Sequence, residues 1–135
     1  PWLKNSNDSL KERIKISKIA NADIFVSIHC NSNKSDVSAR GIETWFKPTS
    51  SESKYLATLI QEELANVNYS LDRGIKDYDS DGELAVVEKN SAIAILTELG
   101  FLSNPKAEKF LASKDGQTEC AKAIYNAIIK YKNEL

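Results

Sequence analysis

The sequence predicts an α/β domain, a central and mostly parallel sheet with helices on both faces. Three observations predict it. Two short runs, Ile24 to Ile28 and Ala92 to Leu96, are rich in apolar and β-branched residues and too short for ordinary helices, so they read as strands buried on both faces. The stretches around them repeat apolar residues at spacings of three and four, the signature of helices laid on a sheet. The order of these patterns, helix to short loop to strand, is that of α/β domains.

The first helix is expected from about Leu10 to Ala20. Ser9-Leu10-Lys11-Glu12 reads as a capping box at its start, and Leu10, Ile14, Ile16, Ile19 and Ala20 supply a broad apolar stripe. Asn21 to Asp23 is the loop into the strand that ends at His29, the single histidine of the chain. Asn31 to Arg40 is polar and reads as a surface loop ended by Gly41. Ile42 to Phe46 is a second strand with Glu43 as its inward-pointing polar residue, and a helix from Glu52 to Asn66 places Leu56, Leu59, Ile60 and Leu64 on one face, with Val67 beyond. Asn68 to Glu83 reads as a long polar connection. Its acids from Asp77 to Asp81 resemble a calcium loop only superficially, because the closing glutamate and flanking helices are missing.

Leu84 to Glu88 is a further short apolar run. Ala92 to Leu96 then leads to Glu98, as the first strand leads to His29. Asn104 caps a short helix with Pro105 at its first position. A last helix, capped by Asp115, carries Ala121, Ile124, Ala127, Ile128 and Tyr131 on one face.

With 135 residues the chain makes one domain. Eighteen Lys and Arg against nineteen Asp and Glu leave no basic footprint for nucleic acid or anionic lipid, and no apolar run is long enough to span a bilayer. Pro1 to Asn7 lacks the character of a signal peptide and reads as the tail of something upstream. Cys30 and Cys120 fit no metal-binding spacing and are expected as free, buried thiols.

Chemistry concentrates where the two buried strands end, the place where α/β sheets collect their ligands. His29 is there a candidate metal ligand or acid/base, or a structural residue capping the sheet. Glu98 is a candidate general base, or a carboxylate that caps the next turn or pairs with a lysine. Glu43 reads as structural, paired to a nearby base or to backbone, with a direct catalytic role as the lesser alternative, and Asn31 as a residue that holds its loop, with a hydrogen bond to substrate as the alternative.

Ser27-Ile28-His29-Cys30-Asn31, Arg40-Gly41-Ile42-Glu43-Thr44, Asp72-Arg73-Gly74 and Thr97-Glu98-Leu99-Gly100-Phe101-Leu102-Ser103-Asn104 together resemble the zinc-dependent N-acetylmuramoyl-L-alanine amidases of the Amidase_3 type. Leu10, Arg13, Ala20 and Asn21 match that pattern too, so the resemblance runs along nearly the whole chain. It implies a peptidoglycan hydrolase that cleaves the amide between the lactyl group of N-acetylmuramic acid and L-alanine. It further implies His29 as one zinc ligand and Glu98 as the catalytic glutamate; on its own chemistry, Arg73 reads either as a two-pronged contact for a muropeptide carboxylate or as a surface residue. The family's other two ligands lie upstream of everything present here, so the chain is expected to supply the C-terminal three quarters of the domain. Alone it is expected to bind zinc weakly and to be inactive. Cys30, adjacent to His29 on a strand, is expected to face away from the metal. The implied partner is peptidoglycan, outside the cell or in the wall of a bacterium, or as the target of a phage lysin. Two rivals stand beside this reading: a zinc-less module that only holds cell wall, and a zinc hydrolase of the same architecture acting on another substrate.

Overall fold

The computed structural model describes residues 6–79 and 84–134. The expected upstream tail at residues 1–5, and the end of the acid-rich stretch at residues 80–83, lie outside the described residues. In chain order the elements are α1 (Ser6–Ile19), β1 (Ile24–Asn31), β2 (Ile42–Phe46), α2 (Ser51–Ala65), β3 (Asp72–Lys76), α3 (Ala85–Glu88), β4 (Ile93–Phe101), α4 (Pro105–Ala112) and α5 (Lys114–Asn133).

The four strands lie in the order β1-β4-β2-β3. β1 pairs with β4 in parallel and β2 with β3 in parallel, while β4 and β2 meet antiparallel. Two of three pairings are thus parallel, as the apolar runs predicted. The antiparallel seam has a geometric consequence: the carboxyl ends of β1 and β4 share one rim of the sheet with the amino ends of β2 and β3.

Alternation along the strands divides the interior into two layers. Ile42, Phe46 and Ile95 face α2 and α5, where Leu56, Ile60, Leu64, Ile124 and Ala127 close the larger core. Burying one such Leu or Ile contributes about 1.5–3 kcal/mol. Ala94 and Leu96 face the other way and form a small cluster with Val86 and Val87 of α3, edged by Leu10 of α1. Helices therefore cover both faces, thickly on one and thinly on the other.

Thr44 and Thr97 point into the larger core with no exposure, yet their polarity is satisfied. Their hydroxyls lie 2.9 Å apart, and the Thr44 hydroxyl donates to Gln61 Oε1 at 2.9 Å. Gln61 in turn donates to the Ile42 carbonyl and to Asp72. This buried chain fixes α2 against both strands of the seam, because breaking any link strands a polar group without water.

Several expectations are corrected. The connection after Asn68 contains a strand, β3, whose Asp-Arg-Gly sequence hides it; as an edge strand it needs only one paired side and tolerates polar residues. Leu84 to Glu88 folds as a single helical turn. α1 starts before Ser9, so Ser9 is inside the helix and caps nothing; its stripe is narrow, with Ile16 and Ile19 exposed and the buried contact made by the Ser17 hydroxyl to Asn90. α5 is capped by Ser113, whose Oγ accepts from the Gly116 N–H, and Asp115 sits in its first turn. Ala121 is exposed on that helix, while Cys120 and Ala123 are buried in its place.

Candidate active site

The end of β1 brings the histidine to the rim. Ser27, His29 and Asn31 alternate onto the thin face of the sheet, and the Ser27 hydroxyl lies 3.0 Å from His29 Nε2, a contact either imidazole tautomer can make. His29 stands directly across from Glu98 in the parallel register, and Glu98 directly across from Glu43 in the antiparallel register. Directly paired residues share a face. An imidazole and two carboxylates thus form one row over three adjacent strands.

The two carboxylates are treated differently. Glu43, 7% exposed, accepts from Asn31 Nδ2 at 2.7 Å and has Arg73 Nε 3.8 Å from its other oxygen. The expected structural pairing of Glu43 is therefore found, with Arg73 as the base. Asn31 is not the loop-holding residue anticipated: β1 continues through it, and its side chain reaches the carboxylate instead. Glu98 has no such support. Its Oε2 is buried without a hydrogen-bond partner among the described residues. Burial, and then the charge of Glu43, push the Glu98 carboxyl up to about 7, where it can take or give a proton at neutral pH.

Arg73 completes the row from β3. Its guanidinium carbon lies 5.1 Å from the centre of the Phe101 ring. Its aliphatic stem passes over Gly41, where an added Cβ would lie 2.6 Å from Arg73 Cγ and where φ is +124°. Phe101 and Gly41 lie within the motifs that carry the resemblance, but the sequence alone assigned neither of them a place in the site. The signal was the pairing of two Gly-containing motifs, Arg40-Gly41 and Arg73-Gly74, each at the start of a strand.

Cys30, the residue after His29, faces the opposite side of the sheet and borders an apolar hollow with Leu111, Cys120 and Ile124. It cannot share a ligand with His29. The two thiols differ from expectation in one respect: Cys120 is buried but Cys30 is exposed, because β1 is an edge strand.

The fit of a metal can be judged from the donors. Among the described residues no group of three His, Cys, Asp or Glu side chains could hold an ion. One imidazole beside one unpartnered carboxylate oxygen falls short of the three protein ligands that a catalytic zinc ordinarily takes.

The architecture defines the class. Solved amidase structures share the fold: the CwlD amidase of Clostridioides difficile, solved in complex with the GerS lipoprotein, superposes with a TM-score of 0.86 at 35% identity over 96% of this chain and 64% of its own. The catalytic domain of CwlV from Bacillus (Paenibacillus) polymyxa var. colistinus gives 0.82 at 34% identity over 92% and 65%. The chain belongs to the N-acetylmuramoyl-L-alanine amidase family Amidase_3, whose model matches residues 2–130. Among curated relatives, an uncharacterized cell wall amidase of Bacillus anthracis is 37% identical over 95% of this chain. The N-acetylmuramoyl-L-alanine amidase LytC of Bacillus subtilis is 34% identical over 97%. The chain spans 24% and 26% of the length of these two relatives.

Proposed function

We propose that this domain hydrolyses the amide between the lactyl group of N-acetylmuramic acid and L-alanine in peptidoglycan, with Glu98 as the proton-transferring residue and His29 as one zinc ligand. The observation that carries the reading is Glu98 itself. It is a partly buried carboxylate beside the only imidazole, with an unpartnered oxygen and a pKa raised to about 7. Family membership supplies the substrate class.

Attack on an amide needs water relieved of a proton and a leaving amine that gains one. Glu98 serves both steps: its free oxygen accepts the proton of the attacking water, and the same group, now neutral, returns it to the departing L-alanine nitrogen. The Glu43 carboxylate next to it, held by Asn31 and Arg73, raises the proton affinity of Glu98, which favours the acceptance step. Zinc, when bound at His29 with donors from beyond the described residues, would polarise the scissile carbonyl and lower the pKa of water. The Ser27 contact holds the imidazole in one orientation for that purpose.

The test uses the full-length protein on purified cell walls and measures newly exposed L-alanine amino groups. Glu98→Gln keeps the shape and is expected to lower the rate about 10²- to 10⁴-fold. His29→Ala is expected to abolish release and lower zinc content. Release of a different bond, or an unchanged rate in Glu98→Gln, would overturn the reading. Binding to walls without any release would point to the wall-holding module instead.

A further inference from the structure

Arg73 is held more firmly than an ion-pair partner of Glu43 requires. Its stem lies on Gly41, which has no Cβ to block it, its guanidinium lies over the buried Phe101 ring, and its Nε faces the Glu43 carboxylate. These three contacts fix the plane of the guanidinium before any ligand arrives. The side chain is nevertheless 37% exposed, and among the described residues no carboxylate besides Glu43 lies within ion-pair distance. The N–H groups at the tip of the fork are therefore available on the thin face of the sheet, two strands from Glu98.

A planar, pre-oriented guanidinium with a free edge is matched by one ligand class above others, a carboxylate bound through two parallel hydrogen bonds. Electrostatics agree. An acidic peptide that approaches the row meets Glu98 and Glu43, both repulsive when ionised, and Arg73 is the cation that offsets them. We propose that Arg73 is a specificity-determining residue that binds a free carboxylate of the peptide, on the acidic residue that follows L-alanine. This rests on the proposed amidase reading for the identity of the substrate, and the Gly41–Phe101–Glu43 cradle is what makes the arginine a recognition group.

The experiment measures binding separately from turnover. Calorimetric titration of full-length protein, wild type and Arg73→Gln, uses two ligands, N-acetylmuramoyl-L-alanyl-D-glutamate and its α-amide. Wild type is expected to bind the free acid about tenfold or more tightly than the amide. Arg73→Gln is expected to lose that preference while keeping its affinity for the amide. Arg73→Lys, with the charge but not the fork, is expected to fall between them. Equal binding of both ligands by wild type, or a preference that survives in Arg73→Gln, overturns the proposal. Should Arg73→Gln fail to fold, Arg73→Lys carries the test, and a full wild-type preference for the free acid in that variant overturns the proposal. Absence of wall hydrolysis by wild type would count against the amidase reading and leaves this binding comparison intact as a separate result.

Discussion

The two faces of the sheet are built on opposite terms. The face beneath α2 and α5 buries a large, continuous cluster in which Thr44, Thr97 and Gln61 have partners, and among the described residues the Tyr131 hydroxyl has none. The face beneath α3 buries a cluster of four apolar residues and carries next to them a histidine, two glutamates and an arginine. In one strand the two sit side by side: Thr97 points into the first layer and is wholly buried, and Glu98 points into the second with an oxygen left unpartnered. The stability held on the thick side lets the thin side tolerate a carboxylate kept out of its ordinary ionisation range.

That contrast can be broken from either side. The largest change in stability is expected from the thick face: Leu56→Ala, at a position with no exposure, should destabilise by about 2–5 kcal/mol. Urea unfolding measures it, and per-molecule chemistry should be unchanged wherever the variant remains folded. A loss of similar size from Val86→Ala in the small cluster would contradict the asymmetry.

Next is the polar chain within the thick face. Gln61→Leu takes the side-chain donor from the Ile42 carbonyl, one of two donors from Asp72 Oδ1 and the acceptor from the Thr44 hydroxyl, and should cost about 1–3 kcal/mol in the same measurement. An unaffected Gln61→Leu protein would mean that these contacts do not hold α2 to the sheet.

The smallest expected effect has the opposite sign and comes from the thin face. Glu98 has a folded-state pKa near 7, above its ordinary value of 4.5, so between those values the folded state holds a proton that the unfolded state has released. Stability from this group is full below about pH 4.5 and declines as pH rises through 7. Glu98→Gln should remove that decline. With chelator present, the variant should exceed wild type at pH 8 by on the order of 1 kcal/mol, a figure reduced for partial solvent contact, and match it near pH 4. Thermal melts across pH check this, and parallel wild-type and variant curves would remove the link between the orphaned carboxylate and its surroundings.

Much of the site was legible because both of its central residues follow apolar runs. Ile24 to Ile28 and Ala92 to Leu96 read as strands of a buried sheet, and the residues that end such strands lie at its rim, although Leu84 to Glu88 shows that a run of this length can also be a helical turn. β3 was not legible, since Asp72-Arg73-Gly74 has the composition of a turn and its role as a strand depends on β2 lying beside it. The Asn31–Glu43–Arg73 group was hidden for the same reason: it is assembled from three strands, and no local pattern records which strands become neighbours. The cap of α5 was misassigned by two residues because Ser113 and Asp115 are both good caps, and only the backbone turn at Ser113 selects between them.

One pairing also governs when the chemistry can begin. His29 and Glu98 meet only because β1 zips onto β4, strands whose matched residues are roughly seventy positions apart, and contacts of such range form late and slowly as a chain folds. The row over the thin face therefore exists only where β1 and β4 are paired, so that a chain with these two strands apart carries the same residues without their geometry.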